Sequence, residues 1–171
     1  MELKGAYIIE IEKMEDERGF FGRIWDEAIF KKMNLSTKII QCNISFNIKK
    51  GTLRGIHYQA FPYEEVKVIR CTKGKVYEIL VDLRPTSNTF KQWRSIELSQ
   101  NDSKLLYVPE GFGLGMQTLE NNTELVYLMS QKFMPEFSRG IKFDDPIFKF
   151  KWPLDISIIS KKDSSFDLFN D

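Results

Sequence analysis

Apolar positions fall in short runs along the chain, many alternating with polar residues, and most runs end at a cluster of Gly, Asn, Ser, Asp or Lys. A period of two, broken by turn residues, predicts β-strands with at least one buried face. The clearest runs cover residues 6–11, 38–46, 66–71, 76–83, 95–98, 105–108 and 125–129. Between them lie Lys49-Lys50-Gly51, Thr72-Lys73-Gly74, Pro85-Thr86-Ser87-Asn88, Ser99-Gln100-Asn101-Asp102 and Glu120-Asn121-Asn122. Turn signals recurring every roughly 8–15 residues suit a β-sandwich or a small barrel. Helical signal is thin. Residues 26–33 (DEAIFKKM) open with acids and close with lysines, which predicts a helix of about two turns aligned with its dipole.

No repeat or low-complexity linker divides the chain, so residues 1–171 are expected to form a single, mainly β domain. Residues 153–171 mix Ile156, Ile158, Ile159 and Phe166 with polar residues. They read either as a surface-draped tail or as a segment whose apolar side chains need a specific home.

Composition narrows the class. The chain has 42% hydrophobic and 29% charged residues, an ordinary globular balance, and 171 residues bury a core without disulfide support. A formal net charge of +1 offers no basic field for nucleic acid. No apolar run approaches the ~20 residues needed to span a bilayer. The N-terminus lacks the apolar stretch of a signal peptide. Cys42 and Cys71 show no metal-ligand spacing and read as free thiols, so a cytoplasmic location is expected.

One histidine, His57, occurs in the chain, within Gly51-Thr-Leu-Arg-Gly-Ile-His57-Tyr-Gln59. It is the only side chain whose unperturbed pKa suits proton transfer near neutrality. A lone strand histidine is more often packed than functional. Arg54, three residues earlier, is a fixed cation suited to a phosphate or an oxyanion. On a regular strand Arg54 and His57 face opposite sides, and they meet in one pocket only if Gly55 bulges the strand. Lys67 interrupts an apolar strand; it points either outward or inward, where it needs a partner. Tyr127 lies in another apolar strand and reads as core or as a phenolic acid. Asp163 reads as a solvated tail carboxylate or as the partner of an imidazole. Arg18 precedes a glycine at a turn. The segments around Val108-Pro-Glu-Gly-Phe112-Gly and Gly140 to Pro146 read as tight turns. GxGxxG, P-loop and HExxH motifs are absent, and no acids or histidines are spaced for a metal.

Taken together, these segments resemble the dTDP-4-dehydrorhamnose 3,5-epimerase family of metal-free cupins, from about Lys4 to Phe166. The resemblance is carried by Asp16-Glu-Arg-Gly-Phe-Phe21, Gln41-Cys-Asn-Ile-Ser45, Leu53-Arg-Gly-Ile-His-Tyr-Gln59, Val81-Asp-Leu-Arg84, Thr89-Phe-Lys-Gln-Trp93 and Val108-Pro-Glu-Gly-Phe112. Gln117-Thr-Leu119, Gly140 to Pro146, Trp152-Pro153 and Ile159-Ser-Lys-Lys-Asp163 continue it. It implies a double-stranded β-helix, the cupin jelly roll, with short helices and a C-terminal extension, residues 153–171, that closes over the barrel. It implies a homodimer, a nucleotide-sugar substrate, no cofactor and no metal. His57 is then the general base, Asp163 its orienting carboxylate, Lys67 the cation that stabilises an enolate, and Tyr127 the acid on the opposite sugar face. Arg18, Arg23, Gln41, Asn43, Ser45, Arg54, Gln59 and Phe133 are implied substrate contacts, Arg18 from across the dimer interface.

The implied reaction inverts C3 and/or C5 of a nucleotide-linked 4-keto-6-deoxy sugar. Three positions depart from the family pattern: Leu114 stands where many relatives have histidine, Arg23 where many have glutamate, and Phe133 where tyrosine is common. Inversion of one centre, 3,4-ketoisomerisation of another sugar nucleotide, and non-catalytic sugar-nucleotide binding are the alternative readings.

Overall fold

The computed structural model describes residues 3–170. Its strands form because most runs have two faces with different destinations. In β7 (Lys75–Asp82), Val76 and Leu80 enter a core with Ile69, Leu98 and Leu125, whereas Ile79 and Val81 enter another with Ile56, Ile141 and Phe148. A strand covered on both sides reads as nearly continuous apolar sequence.

One sheet has the order β1 (Tyr7–Glu10), β9 (Lys104–Val108), β6 (Lys67–Lys73), β11 (Thr123–Met129) and β4 (Gln41–Asn47). The other has the order β12 (Ser138–Gly140), β5 (Thr52–Gln59), β10 (Phe112–Thr118), β7 and β8 (Trp93–Ser99). The short β13 (Ile158–Ile159) joins β5 in parallel, while the other pairings are antiparallel. The two sheets face each other as a jelly roll, the expected cupin barrel. A detached hairpin, β2 (Lys13–Asp16) and β3 (Gly19–Gly22), flanks the turn that carries Arg18.

The predicted helix is α1 (Glu27–Lys32), started by the Asp26 carboxylate, which accepts from the N–H groups of Ala28 and Ile29. Its Phe30 packs on the outer face of the first sheet with Val66, Val68, Leu105 and Tyr107.

The segment after Val108 corrects the sequence reading. Only its first residues turn; residues 112–118 are the buried strand β10. A Cβ at Gly113 or Gly115 would lie 2.7 or 2.4 Å from the fully buried Ile56 side chain. These glycines therefore make room for the outer layer, and the strand loses the apolar signature that would have announced it.

The C-terminal segment is tied to the second sheet. The Gln117 amide donates to the Leu154 carbonyl and accepts from its N–H, and Ser157 bonds to Gly51 and Lys50. After β13, Ser160 caps the single turn α2 (Lys161–Ser164), in which Asp163 is buried. Among the described residues, no helix is long and apolar enough to cross a membrane.

Candidate active site

Strand β5 is irregular where the site forms. Leu114 of β10 pairs with His57, but Met116 pairs with Arg54, so three residues of β5 span the distance of two on β10. This is a bulge, and it reverses the side-chain parity of the strand. Gly55 lies at the bulge with φ 107°, and a Cβ there would meet Gly115 Cα at 2.6 Å and the Leu114 carbonyl oxygen at 2.7 Å. Only glycine fits. As a result Arg54, His57 and Gln59 face one cavity of about 350 Å³ between the sheets, with Tyr58 also at its wall.

His57 Nε2 lies 2.9 Å from Asp163 Oδ1, and the other carboxylate oxygen accepts from the Gly55 N–H at 3.0 Å. The Phe166 ring meets the imidazole edge-on, with centroids 5.7 Å apart. Burial pushes the Asp163 carboxyl up, but hydrogen bonds from His57, Gly55 and Ser160 and the His57 charge outweigh it, leaving the group below the ordinary aspartate value. An ionised carboxylate only accepts, so it holds the imidazole proton on Nε2 and leaves the Nδ1 lone pair available.

The opposite sheet supplies Asn43, Ser45, Lys67, Tyr127 and Met129 to the same cavity. Lys67 points inward, buried, with Nζ 2.9 Å from the equally buried Glu65 carboxylate. The Tyr127 phenol is raised well above its ordinary value, first by burial and then by Glu78, against the opposing charge of Arg54. Arg54 Nε donates to Asn47 Oδ1 at 2.7 Å, and Asn47 Nδ2 contacts Ser45 Oγ at 3.3 Å. Gln59 reaches the wall with its amide already committed: it donates to Tyr63, Glu65 and Lys132 and accepts from the Met134 N–H. It therefore braces Glu65. Phe133 stands at the rim, 57% exposed.

Three of the expected substrate contacts lie outside this cavity. Arg18 sits on the hairpin turn, 83% exposed and bonded to Asp16. Arg23 pairs with Asp26 at 3.5 Å, beside α1. Gln41 begins β4, opposite Met129 at the sheet edge.

Four residues escaped the sequence reading. Asn47 orients Arg54, Glu65 holds Lys67, and Lys162 lines the cavity from the C-terminal turn. Glu78 also lines it, fully buried, with neither carboxyl oxygen hydrogen-bonded. Strand parity was a usable signal, because Glu78 falls on the same face as Val76 and Leu80. Among the described residues no group of three or more His, Cys, Asp or Glu is placed to hold a metal.

An imidazole–carboxylate pair on one wall of a cupin barrel, with a phenol and an ammonium on the other, equips the cavity for acid–base chemistry. The dTDP-4-dehydrorhamnose 3,5-epimerase family model matches residues 1–171, and the chain belongs to that family of carbohydrate epimerases. Its curated relatives include the Sinorhizobium fredii dTDP-4-dehydrorhamnose 3,5-epimerase, 37% identical over 159 residues, which cover 92% of this chain and 82% of the relative. The Bacillus anthracis dTDP-4-dehydrorhamnose 3,5-epimerase, solved with TDP and pyrophosphate bound, superposes with a TM-score of 0.95 at 32% identity, covering 99% of this chain and 98% of that one. A Legionella pneumophila 3,5-epimerase in complex with dTDP-4-keto-L-rhamnose superposes with a TM-score of 0.92 at 30% identity, covering 98% and 89%.

Proposed function

We propose that this protein inverts C3 and C5 of a thymidine-diphosphate-linked 4-keto-6-deoxy sugar, with His57 as base and Tyr127 as acid. The observation that carries this reading is the placement of these two side chains on opposed sheets around one cavity. The relatives solved with TDP and with dTDP-4-keto-L-rhamnose support the substrate class.

The ketone at C4 acidifies the hydrogens on C3 and C5. His57 Nδ1 takes one of these protons; the C–H pair becomes the C=C bond of an enolate, and the carbonyl pair moves onto oxygen. Lys67 and Arg54 stabilise that negative oxygen, and in a site of low dielectric such stabilisation is a large part of catalysis. Tyr127 then donates its proton to the same carbon from the other face and the ketone re-forms. His57 releases its proton to solvent and Tyr127 recovers one from solvent, so the net change is inversion. The raised phenol value keeps Tyr127 loaded with its proton at neutral pH. Asn43, Ser45 and Lys162 hold the diphosphate, and Phe133 offers a flat face to the base. The C-terminal segment completes the site by delivering Asp163 and Lys162.

The assembly we propose is a homodimer. Among the described residues strand β4 is a sheet edge whose outer face exposes Ile44 and Phe46, and the hairpin exposes Met14, Phe20 and Phe21. A second copy would cover this surface and bring its own Arg18 and Arg23 towards the nucleotide. Both cysteines are free, which suits a reducing, cytoplasmic setting.

The test is turnover of dTDP-4-keto-6-deoxyglucose in deuterated water. Deuterium at both C3 and C5, lost in His57→Ala, is the expected result. Label at C3 alone would mark a single-centre epimerase, movement of the ketone a 3,4-ketoisomerase, and no label at all a binding protein.

A further inference from the structure

Among the described residues, Glu78 is the acidic side chain lining the cavity that has neither a partner nor a task in the mechanism above. It is 0% exposed, and neither carboxyl oxygen has a hydrogen-bond partner. On its own sheet it pairs with Met116 and Ile96, both apolar, with Arg54 one strand further on. Facing it from the other sheet are Lys67 and Cys71 of β6 and Tyr127 of β11, and Lys67 is ion-paired with Glu65. Cys71 is pushed up to about 11, chiefly by burial, so it is a neutral thiol here.

An ammonium has three N–H donors. One of those of Lys67 goes to Glu65. If Glu78 were ionised, a second carboxylate would compete for this cation and would also repel a nearby enolate oxygen. An ionised carboxylate without hydrogen bonds in a closed interior is the costly arrangement, and the group keeps its proton instead. Burial pushes Glu78 up to about 8 against the opposing charge of Lys67.

We propose that Glu78 is a positioning residue that serves in its protonated form, leaving the remaining Lys67 donors for the substrate oxygen, and that losing this proton withdraws Lys67 from the reaction. The inference rests on the function proposed above and assigns it a control that acts through Lys67. The enzyme then loses kcat above about pH 8 for a reason located at Glu78, with little change in KM, because the diphosphate contacts are elsewhere.

The test is the pH profile of kcat for the wild-type chain and for Glu78→Gln, a permanently neutral isostere. The expected outcome is that Glu78→Gln keeps wild-type kcat within about threefold at pH 7, and that its profile stays flat where the wild-type kcat falls about tenfold per pH unit. Superimposable alkaline limbs, or a Glu78→Gln enzyme inactive at every pH, overturn the proposal. His57→Ala separates the two claims: activity surviving in that variant sinks the mechanism, whereas its loss alongside unchanged Glu78→Gln limbs sinks only the Glu78 assignment. Should Glu78→Gln not fold, infrared titration of the wild-type chain decides. A protonated-carboxyl carbonyl band that persists at pH 7 and disappears near pH 8 supports the proposal, and its absence at pH 7 overturns it.

Discussion

Asp163 Oδ1 lies 2.9 Å from His57 Nε2 although 106 residues separate the two along the chain. The same carboxylate accepts the N–H of Gly55, the bulge residue that turns His57 into the cavity. One side chain from the C-terminal segment thus fixes both the imidazole tautomer and the backbone that aims it. Asp163→Asn keeps the shape but presents an amide that is able to donate to Nε2, which moves the ring proton to Nδ1 and blocks the base. The expected result is a fall in kcat of about 10²–10⁴-fold with a KM within severalfold of wild type, and a matching loss of deuterium exchange. An Asp163→Asn enzyme with near-normal kcat would remove the pair from the mechanism.

In the proposed mechanism Tyr127 delivers a proton and does not remove one. In Tyr127→Phe the base and its carboxylate are untouched, so C–H exchange should persist while inverted product falls at least tenfold. Following solvent deuterium and product stereochemistry in one sample separates the two steps. Equal loss of both, with the fold intact, would assign the phenol to substrate binding.

Asp82 explains why Val81-Asp-Leu-Arg84 and Thr89 occur together. Its buried carboxylate accepts from the Arg84 guanidinium and N–H and from the hydroxyls of Ser87 and Thr89. Burial pushes the group up, but these four contacts carry it down to about 2, below an ordinary value of 3.8. The unfolded chain therefore binds the proton first as pH falls. The stability that Asp82 contributes is full above pH 3.8 and is lost as pH drops towards 2. Asp82→Asn should cost on the order of 2–3 kcal/mol at pH 7, and the deficit should shrink in acid. Denaturant unfolding of both proteins at several pH values measures this; a deficit independent of pH would mean that lost packing is responsible.

Gly55 is the backbone device that joins Arg54 and His57. Alanine there is strained by the φ of 107° and is driven into Gly115 and Leu114. Gly55→Ala should cost on the order of 3 kcal/mol or more, and any folded fraction should lack exchange because the bulge has shifted. Thermal unfolding with exchange on the soluble fraction tests both effects. A stable, active variant would show that the bulge does not aim His57.

Much of this was legible from residue pattern. The helix starts at Asp26 and stops near Met33 as its charges require, and the alternating runs locate most of the long strands. Gly55 between Arg54 and His57 left a bulge open as the condition for the two side chains to share a pocket, and the register shift of β5 meets that condition. Strand β10 was hidden because Gly113 and Gly115 yield their space to Ile56, which belongs to a layer distant in sequence. Hairpin β2–β3 was hidden because it exposes the apolar side chains that normally report a core. Asp163 is not recognisable as a partner of His57 from spacing; only family resemblance suggested it, since local pattern carries no record of a contact 106 residues long.

Arg18 presents the sharpest test of assembly. Within one chain it lies on an exposed hairpin turn outside the cavity, bonded to Asp16. If it serves a diphosphate, the site it serves belongs to a second copy. Mixing two inactive variants distinguishes the cases. In a heterodimer of Arg18→Ala and His57→Ala, the chain with intact His57 faces the partner's intact Arg18, while the other site carries both lesions. Random exchange makes about half of the dimers mixed, each with one good site of two, so about a quarter of wild-type activity should return. The two variants must first be exchanged under mild dissociating conditions, and wild type treated identically sets the scale. No recovery from variants shown to exchange would place Arg18 outside the partner's site and return the nucleotide contacts to residues of the same chain.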